Sequence, residues 1–221
     1  MIKAIGIDIG GTFIDVVLAG GDGAWLVKIP STPDAPDRGV LRGLKDLIDR
    51  GVVDPSGVAT IAHGSTVATN ALLEGKWART ALVTTRGFRD VLEIGRQNRP
   101  NLYDLSVERP RPIVPRDLRF ELAERVDAEG RVVTPLDPDE VSALVPRLCD
   151  AGVEAVAVVF LFSYLNPSHE RLVGRVLAEA LDVPVSLSSD VLPEFREYER
   201  TSTTVVDAII CPEKSGRSLS R

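Results

Sequence analysis

Two adjacent glycines, Gly10-Gly11, interrupt a strand pattern near the start of the chain and constrain its fold more than any other feature. Apolar residues alternate along Ile5–Ile9, and the alternation resumes from Phe13 to Ala19. A third such run, Ala24–Ile29, follows the glycine-rich turn Gly20–Gly23. Alternation is typical of half-buried strands, and glycine pairs permit tight turns. The pattern therefore predicts three antiparallel strands joined by hairpins.

The chain then alternates between predicted helices and strands. Helical spacing of apolar residues predicts a helix over Pro36–Arg50. Further along, the pattern predicts a buried strand over Val58–Ala62, a helix over Thr66–Leu73 that Ser65 caps, and a buried strand over Arg79–Thr85. The order βββαβαβ predicts a mixed sheet whose later strands return through helices.

A stretch punctuated by prolines, residues 99–117, is unsuited to a regular helix or a central strand and predicts a long loop. Residues 118–188 predict a second, small α/β layer. Its predicted elements are a hairpin over Arg119–Val126 and Arg131–Val133, a helix from Asp137 to Ala151, a strand over Glu154–Phe162, a helix from Asn166 to Leu181 and a strand over Pro184–Leu187. A last helix is predicted over Pro193–Ile210, before a polar tail.

The charge balance and the cysteines exclude several classes of protein. With 26 Lys and Arg against 32 Asp and Glu, the 221 residues carry a formal net charge of −6, which disfavours a nucleic-acid binder that works by bulk charge. Cys149 and Cys211 are far apart and offer neither a metal site nor a disulfide framework. We expect Cys149 to be a small core residue and His169 to be structural. No apolar run reaches membrane-spanning length and the start does not resemble a signal peptide, so we expect a cytoplasmic protein.

The segment around the two glycines is the strongest candidate for chemistry. Glycines let a backbone approach a phosphate closely and expose N–H donors, and the Thr12 hydroxyl adds a further donor. Asp8 ends the preceding strand, where a carboxylate is suited to hold Mg²⁺. The alternative is a plain Gly-Gly hairpin beside a surface Asp. A strand follows the glycines, which excludes a Walker A loop and a Rossmann fingerprint.

Three further sets of polar residues have both a functional and a structural interpretation. His63 lies at a predicted strand end, where it is placed to orient a substrate or transfer a proton, or simply to satisfy a turn. Thr66 and Asn70 share one helical face and are either ligand contacts or cap and surface residues. Arg96 and Arg99 present guanidinium groups suited to a carboxylate or phosphate, or form a solvated charge run.

The predicted last helix contains an unusual polar segment, residues 197–204, that includes Arg200 and Thr201. Its many hydroxyl groups are unfavourable for helix propensity alone. Such a local conflict indicates a functional site or a contact between domains.

Segment Asp8–Asp15 resembles the first phosphate motif of the actin, Hsp70 and sugar-kinase superfamily. More narrowly, the chain resembles the N-terminal part of the hydantoinase A, 5-oxoprolinase and acetone carboxylase β-subunit family. The resemblance covers roughly residues 2–208 and rests on motifs in the same order: GIDIGGTFIDVVL, HGSTVATNALLEGKWARTALVTTRGFRDVLEIGRQNRPNLYDL, GVEAVAVVFLFSYLNPSHERLV and PVSLSSDVLPEFREYERTSTTVVDA.

The resemblance implies one half of an actin-like ATPase fold, with a ribonuclease-H-like mixed sheet and an additional small α/β layer. The implied organisation is a phosphate-binding unit over residues 1–98, a connecting loop over 99–117, a small subdomain over 118–188, and a helix within 189–221 that leads to a second domain. Family members are longer, so we expect this chain to supply at best half of the ATP site.

The implied activity is ATP- and Mg²⁺-dependent phosphorylation of a cyclic amide oxygen for ring-opening hydrolysis, in an oligomer with a hydantoinase B-type subunit. The site residues we expect are Asp8 and His63 for catalysis, Asp8 for the metal, Gly10, Gly11, Thr12 and Asp15 for the nucleotide, and Ser65, Thr66, Asn70, Arg96, Arg99, Arg200 and Thr201 for substrate or coupling. The chain departs from the family pattern at Ile14 and Ser65, where Thr is usual, and at Phe162, where His is frequent.

Three alternatives stay open at the level of sequence. A ketone carboxylase subunit of the acetone type shares these N-terminal motifs. A sugar kinase of the same superfamily shares the D-x-G-G-T signature, although the zinc constellation of Cys and His found in its repressor-kinase branch is absent here. The chain is also compatible with a non-catalytic assembly fragment that pairs with a partner subunit.

Overall fold

The computed structural model describes residues 2–21, 23–32, 36–75, 77–98, 103 and 111–214. These residues form two compact units, which divide between Lys76 and Trp77. We call them the N-terminal unit and the C-terminal unit. Arg99, most of the predicted loop over 99–117 and the end of the polar tail (215–221) lie outside the described residues.

A four-stranded sheet forms the centre of the N-terminal unit. Its strands are β1 (Ile2–Ile9), β2 (Phe13–Gly20), β3 (Gly23–Pro30) and β4 (Thr60–Ser65), in the spatial order β3-β2-β1-β4. The unit also contains α1 (Pro36–Asp49), α2 (Val67–Glu74) and a 3₁₀ turn over Pro55–Gly57. The first three strands are antiparallel, as predicted, and β4 runs parallel to β1.

Alternate residues of β1 and β2 build the core of the N-terminal unit. The buried side chains are Ile2, Ile5, Ile7 and Ile9 of β1, Ile14, Val16 and Leu18 of β2, and Leu47 and Val53. Because successive side chains of a strand point to opposite faces, Asp8 and Asp15 lie on the face away from this core.

The C-terminal unit contains a parallel sheet, in the order β10-β9-β5-β6. Its strands are β5 (Thr80–Thr85), β6 (Arg119–Leu122), β9 (Ala155–Val159) and β10 (Val185–Leu187), and β7 (Arg125–Val126) with β8 (Val132–Thr134) forms a separate antiparallel ribbon. The helices are α3 (Val91–Ile94), α4 (Pro138–Asp150), α5 (Ser168–Ala180), α6 (Ser188–Val191) and α7 (Glu197–Lys214), with a 3₁₀ turn over Arg116–Leu118.

The two central strands of this parallel sheet are buried along their whole length. Every residue of β5 and of β9 is buried. Near-continuous apolar runs are typical of parallel strands that are covered on both faces. The core around them includes Leu144 and Leu148 of α4 and Val173 and Leu177 of α5.

The predicted strand Arg79–Thr85 exists but lies in a different sheet from the one its order suggested. As β5 it pairs with β6 and β9 of the C-terminal unit, and β4 is an edge of the first sheet. The order βββαβαβ therefore does not form one sheet, and the units divide after residue 76 rather than after residue 98. A strand that is buried on both faces carries no sequence signal for its neighbours, because either sheet satisfies its burial.

Several local predictions also differ from the structure. Ser65 is the last residue of β4 rather than a cap, and Thr66 stands immediately before α2. Cys149 is exposed on α4 rather than in the core.

Candidate functional site

The turn Gly10-Gly11-Thr12 connects β1 to β2 and has an open tip. Gly10 N donates to Phe13 O at 3.0 Å, and Ser31 N donates to Thr12 O at 3.0 Å. A Cβ on Gly10 would lie 2.9 Å from Phe13 O, so the turn requires glycine there. Within the described residues, no acceptor lies against the N–H groups of Gly11 and Thr12. These two donors are therefore available to an anion.

A polar row crosses the sheet beside this turn, on the face away from the core. Asp8 stands opposite Asp15, and Asp15 stands opposite Lys28. Lys28 Nζ donates to the two carboxylate oxygens of Asp15 at 2.8 and 3.1 Å. Asp8 is exposed, and no cation lies within ion-pair distance of it in the described part of the chain. The pair with Lys28 offsets the charge of Asp15 and leaves Asp8 as the open carboxylate.

Gly64 on β4 has no side chain and therefore leaves space beside the Asp8 carboxylate. Gly64 is the register partner of Asp8, and a Cβ on it would lie 3.7 Å from Asp8 Oδ1. A larger side chain at that position would therefore stand over the carboxylate.

The start of α2 is tied to the end of β1 next to the glycine turn. Thr66 donates to Ile9 O through its N–H at 3.1 Å and through Oγ1 at 3.2 Å. Asn70 Nδ2 in turn donates to Thr66 Oγ1 at 3.3 Å, and a Cβ on Gly11 would lie 3.5 Å from the same Nδ2. The structure thus brings Gly11, Thr66 and Asn70 together.

His63 and Asp8 lie on opposite faces of the sheet. The parallel register pairs His63 with Ile7, whose side chain points into the core, whereas Asp8 pairs with Gly64. His63 is exposed because β4 is an edge strand. Ser65 pairs with Ile9, but its side chain lies outside what the structure describes. The two residues expected to be catalytic are therefore not brought together by this sheet.

The donor set around Asp8 fits a Mg²⁺ ion that arrives with phosphate oxygens. No cluster of three or more His, Cys, Asp or Glu side chains suited to a metal occurs among the described residues. Mg²⁺ is commonly held by one or two carboxylates together with phosphate oxygens and water, so one open carboxylate suffices. The open N–H groups of Gly11 and Thr12 and the Thr12 hydroxyl are suited to the phosphates themselves.

In the C-terminal unit, Arg96 already has a partner. Its Nε donates to Glu199 Oε1 at 2.7 Å, and its guanidinium lies 5.8 Å from the centre of the Tyr198 ring. This hydrogen bond holds the pKa of Glu199 below its ordinary value and raises the pKa of Arg96. Arg99, its expected companion, lies outside the described residues.

Arg200 and Thr201 are buried within the C-terminal unit. Arg200 donates to Glu194 O at 2.9 Å through Nη1 and to Phe160 O at 2.8 Å through Nη2, and burial lowers its pKa. Thr201 Oγ1 donates to the carbonyl of Glu197 at 2.6 Å, one helical turn earlier. The hydroxyl-rich segment of α7 is thus accommodated by bonds to its own helix and by burial.

Two buried carboxylates in this unit, Glu124 and Glu170, are not among the site residues expected from the sequence. Glu124, 3% exposed, accepts from the Thr85 hydroxyl and lies 2.7 Å from Nδ1 of His169, which is 8% exposed. Nothing in the sequence around Glu124 distinguishes it from a surface residue, because its partners are distant along the chain.

Glu170 is the second buried carboxylate. It accepts from Phe160 N at 2.9 Å, Ser188 Oγ at 2.6 Å and Ser189 N at 2.8 Å. One sequence signal does point to it: Glu170 stands on the apolar stripe of α5, three residues before Val173.

Among the helices of the described residues, none is both long and apolar enough to cross a membrane.

Residues 4–181 match the family model described as the hydantoinase/oxoprolinase N-terminal region. The chain belongs to this family. Its glycine turn, Asp8 and the start of α2 all lie inside the matched region, as do the parallel strands β5, β6 and β9 and the buried Glu124 and Glu170. The family resemblance expected from the sequence motifs is confirmed.

Several relatives of this chain are named as enzymes or enzyme subunits. Caprolactamase subunit alpha of Pseudomonas jessenii is 37% identical over 225 residues, which cover 98% of this chain and 32% of the relative. The 5-oxoprolinase 1 of Arabidopsis thaliana is 37% identical over 235 residues, which cover 93% of this chain and 19% of the relative. The chain thus spans between about a fifth and a third of the length of these relatives.

A solved structure shares the mixed α/β architecture of the chain. A nucleotide-free structure of acetone carboxylase, reported for the mechanism of ATP-dependent acetone carboxylation, matches with a TM-score of 0.86 and 26% identity. The match covers 98% of this chain and 33% of that chain. The chain therefore shares its mixed α/β fold with this acetone carboxylase chain.

Proposed function

We propose that the chain supplies one side of the ATP site of an enzyme that phosphorylates the oxygen of a cyclic amide and thereby opens the ring. The observation that carries the proposal is the turn Gly10-Gly11-Thr12, whose open N–H groups stand beside the open carboxylate of Asp8. A glycine turn with free donors suits phosphate oxygens, and an adjacent carboxylate suits the Mg²⁺ that accompanies them.

The residues around the turn divide into two roles. Gly11, Thr12 and Asp8 would hold the phosphates and Mg²⁺, while Gly10 fixes the turn and Lys28 offsets the charge of Asp15. Thr66 and Asn70 hold the start of α2 against the turn. We assign them to positioning of the phosphate site. His63 is not assigned to the phosphate site, because it lies on the other face of the sheet from Asp8.

The chemistry requires ATP because a planar amide is a poor electrophile. Transfer of the γ-phosphoryl group to the amide oxygen releases ADP and makes that oxygen a good leaving group. Water then adds to the amide carbon, and collapse of the tetrahedral intermediate expels the ring nitrogen, which takes up the proton of the added water. The C–N bond of the ring is thereby broken and an acyl phosphate remains. Attack of a second water on the acyl phosphate releases inorganic phosphate and the free carboxylate. Phosphoryl transfer depends mostly on positioning and charge neutralisation, which a backbone cradle and Mg²⁺ supply. A hydantoinase B-type partner is proposed for the second stage, since the caprolactamase relative is itself named a subunit.

We propose further that the N-terminal unit is the first part of a ribonuclease-H-like domain and one half of an actin-like ATPase fold. Its support is the order β3-β2-β1-β4, with three antiparallel strands and a parallel β4 after α1. A half of such a fold holds a nucleotide from one side only, so weak binding is expected.

Carboxylation of a ketone is the second candidate. Its support is the acetone carboxylase structure, whose match covers 98% of this chain with a TM-score of 0.86. Activation of a ketone oxygen needs the same phosphate site. The two candidate reactions differ in whether water or bicarbonate is the next reactant.

Titration calorimetry with Mg-ATP tests the phosphate site on the 221-residue chain. We expect weak binding that requires Mg²⁺, and that Asp8→Asn and Gly11→Val remove. The matched control is Asp49→Asn, which changes an exposed carboxylate of α1. Tight micromolar binding that Asp8→Asn leaves unchanged would overturn the assignment of a one-sided site at this turn.

A second assay distinguishes the candidate reactions. The chain is assembled with a hydantoinase B-type partner and supplied with Mg-ATP, and release of ADP is measured with 5-oxoproline, caprolactam, or acetone with bicarbonate. Dependence of ADP release on a cyclic amide supports the hydrolase. Dependence on acetone and bicarbonate alone supports the carboxylase.

A further inference from the structure

The C-terminal unit contains a cleft of about 450 Å³ at the carboxyl end of β5. Part of its wall is apolar and formed by Phe88, Val91 and Ile94, and the segment 196–199 and Arg96 are among the residues that form the rest. Ligands of open α/β sheets characteristically bind outside the carboxyl ends of parallel strands. The cleft has the volume of a site for a small organic molecule.

The charged residues of the cleft differ in whether a partner already neutralises them. Asp90 accepts from Arg116 at 3.0 Å through both carboxylate oxygens, and Arg96 is bonded to Glu199 at 2.7 Å. Arg196 also lines the cleft, and within the described residues no carboxylate lies within 4.0 Å of its guanidinium. Arg196 is therefore the cation of the cleft that is open to an added anion.

The position of Arg196 is fixed by its backbone. It precedes α7 with φ at +76°, a conformation that residues with a side chain rarely adopt, and its carbonyl accepts from Arg200 N at 3.1 Å. Its positive charge contributes, less than that of Arg96, to lowering the pKa of Glu199, which lines the same cleft. Strained residues of this kind are concentrated at ligand sites.

The acidic residues of the wall limit the ligand to a single negative charge. Glu197 and Glu199 also line the cleft. A second anionic group on the ligand would stand close to these carboxylates and be repelled.

We propose that this cleft binds a small organic monocarboxylate, with the carboxylate held by Arg196 and the apolar carbons packed on Phe88, Val91 and Ile94. The inference deepens the proposed function and rests on it, since it would make Arg196 the residue that distinguishes a cyclic amide with a carboxylate from one without. It concerns the C-terminal unit alone and needs no nucleotide.

The test uses two probes that share one ring. 5-Oxoproline is 2-pyrrolidinone with a carboxylate, so the pair isolates the contribution of that group. Binding of each to the 221-residue chain is measured by ligand-detected NMR titration without ATP. We expect 5-oxoproline to bind at least about tenfold more tightly than 2-pyrrolidinone, as a charge-assisted hydrogen bond provides. Arg196→Gln removes that difference, and Arg196→Lys retains part of it.

Two controls separate recognition by Arg196 from a general attraction of anions to the chain. Arg175→Gln changes an exposed arginine of α5 outside the cleft and leaves the ratio of the two affinities unchanged. Inorganic phosphate, added as a third probe, does not compete with 5-oxoproline. Equal binding of the two rings, a ratio that Arg196→Gln leaves intact, or competition by phosphate overturns the proposal. Because ATP is absent, each of these outcomes is independent of the phosphate site at Gly11.

Discussion

Polar residues in the two units of this protein are arranged in opposite ways. At the glycine turn of the N-terminal unit, Asp8 is exposed and the N–H groups of Gly11 and Thr12 are open among the described residues. In the C-terminal unit, Glu170 and Arg200 are both fully buried and bonded to backbone groups of the same residue, Phe160. An open group is available to a ligand, whereas a buried and bonded one stabilises the fold.

This difference leads to opposite consequences of substitution. Loss of a buried charge leaves its partners unsatisfied in a medium of low dielectric constant, so stability falls. Loss of an open charge costs little stability and removes binding. The two tryptophans allow each unit to be followed separately, since Trp25 lies in the N-terminal unit and Trp77 in the C-terminal unit. Trp25→Phe and Trp77→Phe provide the two backgrounds.

Arg200→Met should destabilise the protein most. The substitution leaves the carbonyls of Phe160 and Glu194 without donors and Glu170 without a nearby positive charge. We expect the free energy of unfolding of the C-terminal unit to fall by about 3–5 kcal/mol. Urea unfolding followed by Trp77 fluorescence measures it, with Arg175→Met as the exposed control. A loss below about 1 kcal/mol would contradict the structural role assigned to Arg200.

Glu124→Leu should have a smaller effect in the same unit. It leaves the Thr85 hydroxyl and His169 Nδ1 without their partner. The expected loss in the free energy of unfolding is about 2 kcal/mol. Because the two residues interact directly, the double variant Glu124→Leu/His169→Leu should lose less than the sum of the single variants. Strict additivity in that cycle would show that the pair does not act as a unit.

Acid should weaken the contribution of the Arg96–Glu199 pair to the stability of the folded protein. Arg96 lowers the pKa of Glu199 in the folded protein, so the stability contributed by the pair is present above the ordinary pKa of glutamate. It is lost as the pH falls through the lowered value. The difference in melting temperature between the wild type and Glu199→Gln should therefore be present at pH 7 and diminish below about pH 4.

The matched control for this acid effect is Glu179→Gln on the exposed part of α5. That variant should have the same melting temperature as the wild type both at pH 7 and below about pH 4. A Glu199→Gln difference that grows in acid would contradict a stabilising pair that depends on ionised Glu199.

Asp8→Asn should change stability least. Asp8 is exposed and has no ion-pair partner among the described residues, so unfolding followed by Trp25 fluorescence should change by less than about 0.5 kcal/mol. The same variant is expected to lose Mg²⁺-dependent binding of ATP. A loss of more than about 1 kcal/mol would place Asp8 with the buried structural charges and remove the contrast between the units.

The parts of the fold that the sequence predicts are those fixed by interactions between residues close together in the chain. The first three strands were predicted correctly because alternation and glycine turns are local signals. The sequence did not predict that β5 belongs to the second sheet. All six residues of β5 are buried, and a strand of this kind fits equally well into any sheet that is covered on both faces. The exposure of Cys149 was missed for a related reason: it lies just past the apolar stripe of α4, which ends at Leu148.

The same distinction applies to the candidate sites. The segment Asp8–Asp15 could be singled out from the sequence, since its spacing fixes the turn and the face of each carboxylate. Arg200 and Thr201 lie in a polar run that is unfavourable for a helix by propensity alone, and their burial in the C-terminal unit accounts for that run. Glu124 gave no signal, because its partners Thr85 and His169 come from distant segments.

The family motifs, the antiparallel start of the first sheet and the glycine turn beside Asp8 depend only on residues that are close together in the sequence. The sequence alone therefore predicts all three. Which polar groups stay open and which are enclosed depends on the folded protein. Folding separates His63 from Asp8 by one step of strand register, and it buries Glu170 beside Arg200. Burial depends on residues far apart in the chain, and it is burial that converts a polar side chain from a contact for ligands into a support of the fold.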